Sequence, residues 1–352
     1  MIHSISAEHA GYLAQCMDDV SRSFALVVRV LEEPLRYQLA AAYLLCRVAD
    51  NIEDCGQPEP WQRKRFAEFH DLLIDPASAI NVLAEWEDLE WPGLTDGEKR
   101  MMGLPGGLPL WQIYEGIGDD GRHSIRTWVS TMATGMEQIE DDSKPPIVLD
   151  SEGVRCLADV PDYNEYCYYV AGTVGHMATE LVAHYYGFPP DLHAELSELS
   201  EACGRSLQKT NIVKDFKDDW DRGVCYLPAS WLDEVGYAPL RLEGAPTGWA
   251  LMVIADVVKE LRSATEYLVK LPLTASGYRM ASLLCLLPAY ATLSLAAKRQ
   301  RSLFTHEHKV KISRTQMVKC QMQAQSMVSD NDGICAYAQR LEAEICTGFE
   351  NS

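Results

Sequence analysis

Two acidic triplets constrain this chain more than anything else in its sequence. Asp50, Glu53 and Asp54 close one apolar segment, and Asp215, Asp218 and Asp219 close another. In each the spacing is i, i+3, i+4, which gathers the side chains on one face of a helix. Like charges on a face that begins in the core cost stability unless cations neutralise them. The economical reading is a pair of carboxylate walls holding Mg²⁺. That ion takes hard oxygen ligands, keeps some waters and bridges to substrate phosphates. One such triplet is ordinarily a solvated helix face. Two, each entered from an apolar segment, point to diphosphate chemistry inside a helical bundle.

The rest of the chain supports helix. Apolar residues recur at spacings of three and four, and alternating strand-like runs are nearly absent. An amphipathic pattern over 7–31 stops at Glu33-Pro34, and a strong helix runs from Leu35 to Asp54, ending at Cys55-Gly56. Residues 56–62 read as a turn and 88–110 as an irregular surface loop. Helix resumes from Leu110 to Asp141 and breaks at Lys144-Pro145-Pro146. Further helices are expected near 162–186, 191–219, 249–270, 276–300 and 311–347, with a Pro- and Gly-rich connector over 221–248. No fixed-period repeat or linker appears. With 352 residues, 47% of them hydrophobic, the chain is expected to form one all-α domain over 1–352, with 301–352 as a C-terminal helical extension.

Bulk properties narrow the partners. A net charge of -20 with no offsetting basic stretch argues against nucleic acid. The 11 cysteines are scattered without a CxxC pair, which argues against zinc and fits a reducing, cytoplasmic setting. The first residues lack the basic and apolar regions of a signal peptide. The longest apolar run, Ala281 to Ala297, is short of a membrane span and is interrupted by Pro288, so it reads as a buried core helix with no transmembrane segment. Peripheral membrane contact stays open.

Other residues near the triplets suit a diphosphate. Tyr43 and Arg47 precede Asp50 by seven and three residues and roughly share its face. Arg47 offers a planar fork of donors, and equally reads as a salt-bridge partner of Asp50 or Asp54. Ser21, Arg22, Ser23 and Phe24 bring two hydroxyls and a guanidinium together, although the serines alone read as a helix start. Asn211 lies one turn before Asp215, and Gln208 about one turn earlier. The stretch Tyr166 to Gly175 mixes aromatics with small residues. It reads either as ordinary helix packing or as a slot for hydrocarbon tails whose aromatic faces stabilise a carbocation.

Four runs in register resemble the squalene/phytoene synthase family. They are Ser21-Arg22-Ser23-Phe24; Tyr43, Arg47, Asp50, Glu53 and Asp54; Tyr166-Cys167 with Val170-Ala171-Gly172 and Val174-Gly175; and Leu207-Gln208 with Thr210-Asn211-Ile212, Asp215, Asp218 and Asp219. The resemblance covers roughly residues 15 to 300 and is closest to the bacterial-type soluble squalene synthases. It implies the all-α, single-domain class I isoprenoid synthase fold, a helical bundle with a central cavity. It also implies Mg²⁺-dependent prenyl transfer, in which two farnesyl diphosphates join head to head to presqualene diphosphate. NADPH-dependent reduction then gives squalene, a sterol or hopanoid precursor. Family siblings stop at presqualene diphosphate or make dehydrosqualene, hydroxysqualene or phytoene without NADPH.

Carried over position by position, the resemblance makes Asp50, Asp54, Asn211, Asp215 and Asp219 metal ligands, supported by Glu53 and Asp218. It makes Ser21, Arg22, Ser23, Phe24, Tyr43, Arg47, Gln208 and Lys214 holders of the substrate head. Tyr166 is implied to handle a proton or cation. Val170, Ala171, Val174, Gly175, Leu207, Leu284, Cys285 and Pro288 are implied to line the tail pocket. The stretch Val310-Lys311-Ile312-Ser313-Arg314 is similar to a basic run associated with the NADPH phosphate, with Lys311 and Arg314 as its cations. Several positions depart from the family. Lys214 stands where Arg is frequent, Val224 where Arg usually follows Gly223, Leu284 where squalene synthases carry Phe, and Ser313 where they carry Arg.

Overall fold

The computed structural model describes residues 5–139, 147–148, 153–236, 247–300, 303–304 and 309–350. In chain order the helices are α1 Ala7–Val20, α2 Arg22–Arg29, α3 Leu35–Asp54, α4 Glu59–Ile74, α5 Ala79–Glu87, α6 Asp96–Met101, α7 Leu108–Glu115 and α8 Asp119–Ile139. Then come α9 Val160–Cys167, a π-helical turn Tyr168–Gly172, α10 Thr173–Tyr186, α11 Pro190–Asp221, α12 Ala229–Glu234, α13 Thr247–Lys270, α14 Ser276–Lys298, α15 Arg314–Met327 and α16 Asn331–Glu350. The described strands are two-residue pieces: β1 Ile147–Val148 pairs antiparallel with β2 Arg155–Cys156, which pairs parallel with β3 Val224–Cys225. The expected all-α class holds. The chain divides into two compact units, Met1–Asp141 with His176–Ala194, and Asp142–Gly175 with Glu195–Ser352.

The first unit is organised on α3. Pro34, with no N–H to leave unpaired, sits just ahead of Leu35. At the other end Gly56 takes φ 70, the left-handed conformation that stops a helix. Between them Leu44, Leu45, Val48, Ala49 and Ile52 are buried, and α3 packs against α1, α4, α7 and α8. The Gln62 side chain on α4 donates to the carbonyls of Ile52 and Glu53 at 3.2 and 2.6 Å. It thereby pairs two acceptors that the helix end leaves open and fixes the acidic end of α3.

The second unit is organised on α14, which packs against α13, α15 and α16. Arg279 on α14 is fully buried. It donates to the carbonyls of Leu268, Leu271 and Val328 and to Asn331 Oδ1, tying the ends of α13, α15 and α16 together. By length and composition α14 is long and apolar enough to cross a membrane, and 67% of its most apolar window is buried. The sequence reading treated Pro288 as an interruption. The helix runs through it, from Ser276 to Lys298, with Pro288 half-buried inside.

Elsewhere the boundaries shift for local reasons. The 7–31 pattern is two helices, since the Ser21 hydroxyl accepts from Phe24 N at 3.4 Å and caps α2. The expected loop over 88–110 contains α6, started by a capping box in which Thr95 and Glu98 bond reciprocally. Gly116 ends α7, so the helix expected from Leu110 begins as α7 and restarts at Asp119. Helix over 311–347 splits at Asp330, whose carboxylate accepts from Gly333 N at 2.9 Å. Its first turn also begins later, at Arg314, where Ser313 caps α15. The break expected at Lys144-Pro145-Pro146, and residues 237–246 of the connector, lie outside the described residues.

Candidate active site

The first acidic cluster sits at the end of α3. Arg47 Nη1 lies 3.4 Å from Asp50 Oδ2 and 4.0 Å from Glu98 Oε1, and its Nη2 lies 3.5 Å from the Tyr43 hydroxyl. Phe24 stacks on Tyr43 with ring centres 4.4 Å apart, so the expected neighbours Phe24, Tyr43, Arg47 and Asp50 form one connected group. Burial pushes the Asp50 carboxyl up from 3.8 to about 6; Arg47 pulls it down, while Asp54 and Glu98 push it up. Burial opposes the charge on Arg47, but Asp50, Tyr43 and Glu98 outweigh it and raise its pKa. The Arg47 Nε is buried without a hydrogen-bond partner. Glu53 is half-buried and Asp54 exposed on the same helix end. Ser21 is spent on capping α2, and Ser23 is exposed. Arg22 belongs to α2, and its side chain lies outside the described residues.

The second cluster sits at the end of α11, and each carboxylate there has a cation. Lys214 Nζ lies 3.1 Å from Asp215 Oδ2 and donates to Asn211 Oδ1 at 2.8 Å. Arg222 Nη2 lies 2.6 Å from Asp219 Oδ1. Lys309, in the segment leading into α15, pairs with Asp218. Burial raises the Asp219 carboxyl; Arg222 lowers it, and Asp215 and Asp218 raise it. Val224 stands two residues after Arg222 in sequence, and Arg222 is the cation that meets Asp219. Among the described residues no three His, Cys, Asp or Glu side chains are grouped so that they could hold a metal ion as they stand.

Tyr166 is buried on α9 and stacks on Tyr226 with ring centres 4.4 Å apart and 14° between planes. After Cys167 the helix widens into the π-helical turn that carries Val170 and Ala171. A Cβ added at Gly204 would stand 1.9 Å from the Ala171 carbonyl oxygen, and one at Gly175 would stand 2.1 Å from that of Ser200. The small residues thus serve close backbone approach to α11, the packing reading left open by the sequence. Val170, Ala171, Val174, Gly175, Leu207, Gln208, Leu284, Cys285 and Pro288 are all half-buried. Lys311 and Arg314 are exposed beside the first turn of α15, whose backbone N–H groups favour an anion.

Sequence reasoning missed Glu98 and Lys309, and raised Arg222 only as a neighbour that could compensate for the arginine absent at Val224. Glu98 belongs to a six-residue helix in a Pro- and Gly-rich stretch, and only its capping-box spacing to Thr95 marked it. A cleft of about 420 Å³ in the first unit is walled by Trp86, Trp91 and Lys99. None of the residues singled out above lines it.

Solved structures with the same fold include TcSQS bound to a ligand, at 22% identity and TM-score 0.75, covering 97% of this chain and 98% of that one. A dehydrosqualene synthase in complex with ligand matches at 19% identity and TM-score 0.62, covering 91% and 98%. The fold is that of the class I isoprenoid synthases. The sequence model for squalene/phytoene synthase matches residues 17–316, and the chain belongs to that family. Among curated relatives, the squalene synthase of Saccharomyces cerevisiae is 29% identical over 65% of this chain and 48% of its own length. The bifunctional lycopene cyclase/phytoene synthase of Podospora anserina is 27% identical over 65% of this chain and 36% of its own. The chain thus spans about half the length of the curated relatives it matches, or less.

Proposed function

We propose that this chain is a Mg²⁺-dependent prenyltransferase that condenses two farnesyl diphosphates head to head to presqualene diphosphate and reduces that intermediate to squalene with NADPH. One observation carries the reading. Asp50 is half-buried in a setting that penalises its charge, beside Asp54 and Glu98 and an arginine with an orphaned donor. A divalent cation and a diphosphate complete both halves of that arrangement.

Asp50 and Asp54 would hold Mg²⁺ at the first cluster with Glu53 in support, and Asn211, Asp215 and Asp219 would hold it at the second with Asp218 in support. Mg²⁺ bound there supplies Lewis-acid assistance to diphosphate departure. Arg47 donates to phosphate oxygens, and Tyr43 and Phe24 fix the fork in place. Lys214 and Arg222 balance charge at the second cluster and exchange carboxylate contacts for phosphate ones. The Tyr166 ring, kept in plane by Tyr226, faces a developing allylic cation, and its hydroxyl relays the proton lost on cyclopropane closure. Residues 170–175, Leu207, Leu284, Cys285 and Pro288 supply apolar surface that keeps water from the cation. NADPH would be held by its phosphate at Lys311 and Arg314, both exposed cations at a helix start, and supplies the hydride for the last step. The setting is cytoplasmic, with product leaving towards a membrane surface.

A second reading is an unreduced product. It draws support from Ser313, whose hydroxyl accepts from Gln316 N at 3.1 Å as the cap of α15. Two cations remain where squalene synthases have three. Purified protein incubated with farnesyl diphosphate and Mg²⁺, with and without NADPH, decides between them by mass spectrometry after phosphatase treatment. Squalene that appears only with NADPH supports the reductive reading. The same product in both tubes moves the chain to the unreduced branch, and no turnover overturns the choice of substrate.

A further inference from the structure

Lys209 is fully buried, and no step above uses it. Its Nζ donates to Asn164 Oδ1 on α9 at 2.7 Å, and to Asp256 Oδ2 and Glu260 Oε1 on α13 at 2.6 and 3.1 Å. The same nitrogen lies 4.8 Å from the centre of the Tyr163 ring. Arg205, about one turn earlier on α11, meets Glu260 at 3.1 Å and also pairs with Glu201. A buried ammonium is tolerated only when paired and hydrogen-bonded, and these acceptors meet that need. Apolar side chains of similar volume hold helices together as well as buried ion pairs do. Helix adhesion alone therefore does not account for the group. What an ammonium adds is direction, because its three donors each require an acceptor at a set angle.

The position of the clamp matters. Lys209 follows Gln208 and precedes Asn211 by two residues, and Asn164 precedes Tyr166 by two on α9. A second close contact lies further along, where Gly204 admits the Ala171 carbonyl. The segment from α9 through the π-helical turn is thus pinned to α11 at two places, one polar and one steric. Tyr226 stacks on the Tyr166 ring, and Asn164, half a turn before it on α9, is the residue whose side chain accepts from Lys209.

We propose that Lys209 is a positioning residue that fixes the rotation of α9, and so places Tyr166 against the α11 face bearing Gln208, Asn211 and Asp215. The proposal rests on the catalytic reading of that face. Replacing Lys209 by Met would strand two carboxylates in the core and endanger folding, so Asn164→Ala is the decisive variant. It releases α9 and leaves both ion pairs of Lys209 in place. Misplacing a reacting group by about 1 Å costs roughly 100-fold in rate. Asn164→Ala is therefore expected to lose roughly 100-fold in kcat with farnesyl diphosphate, to keep KM within about twofold, and to melt within a degree or two of wild type. Asn164→Asp, which retains an acceptor, is expected to recover most of the rate. Amide hydrogen exchange should quicken over residues 160–172 in Asn164→Ala and stay unchanged along α11. A wild-type kcat in Asn164→Ala overturns the proposal, as does a loss shared equally by Asn164→Asp. If the wild-type protein does not turn over farnesyl diphosphate, the catalytic reading falls. Exchange over 160–172 then still decides the clamp: faster exchange in Asn164→Ala supports it and unchanged exchange overturns it.

Discussion

Replacing Asp50 by Asn should stabilise the metal-free protein at neutral pH while removing its activity. The Asp50 side chain is 25% exposed, and burial raises its carboxyl from 3.8 to about 6. A carboxyl raised in the folded state binds its proton more tightly folded than unfolded. The stability that comes with the protonated form is fully present below the unfolded value and is lost as pH rises through the folded one. At 1.36 kcal/mol per unit, the rise from 3.8 to about 6 corresponds to about 3 kcal/mol. Asn has the shape of the protonated carboxyl and cannot ionise. The variant should therefore match wild type near pH 4 and exceed it by about 3 kcal/mol above pH 7. Urea denaturation followed by tryptophan fluorescence, in EDTA from pH 4.5 to 8, reads the difference directly. Added Mg²⁺ with diphosphate should close it, because ligands that favour the ionised carboxylate stabilise wild type selectively. A pH-independent gap, or a wild type more stable than the variant at pH 7.5, would refute this electrostatic account of the first cluster.

Other outcomes are expected on similar grounds. Asp215→Asn should abolish turnover with farnesyl diphosphate yet leave the melting temperature nearly unchanged, because that side chain is 41% exposed; wild-type turnover would remove it from the metal site. Gly204→Ala should destabilise the second unit by about 3 kcal/mol or more in urea melts, since its Cβ would meet the Ala171 backbone at 1.9 Å. A neutral result would mean that the α9 to α11 contact is looser than drawn. Changing Lys311 and Arg314 together to Ala should lose squalene while presqualene diphosphate accumulates, and an unchanged product profile would exclude them from NADPH binding.

The parts of this structure that were legible in the sequence are those with local causes. The limits of α3 follow from Pro34 and Gly56, and the shared face of Tyr43, Arg47 and Asp50 follows from helical spacing alone. The division at Ser21 was marked by its hydroxyl, which alone reads as a helix start and gains a phosphate role only beside Arg22 and Ser23. The π-helical turn at Tyr168–Gly172 was not legible, because its extra residue answers to backbone contact with Gly204 on another helix. Lys209 was passed over for the same kind of reason. Its acceptors lie 45 to 51 residues away, and no spacing rule connects a lysine in a diphosphate motif to carboxylates on α13. Cations at the second cluster were harder still: Arg222 follows by one turn, but Lys309 arrives from a segment read only for its resemblance to a nucleotide contact.

The central claim is that two farnesyl diphosphates are joined. Incubating the wild-type protein and Mg²⁺ with an equal mixture of unlabelled and fully deuterated farnesyl diphosphate tests it most directly. The account predicts three product masses, light, mixed and heavy, with the mixed species the most abundant after allowance for isotope effects. Products carrying a single farnesyl unit, light or heavy with no mixed species, would contradict it.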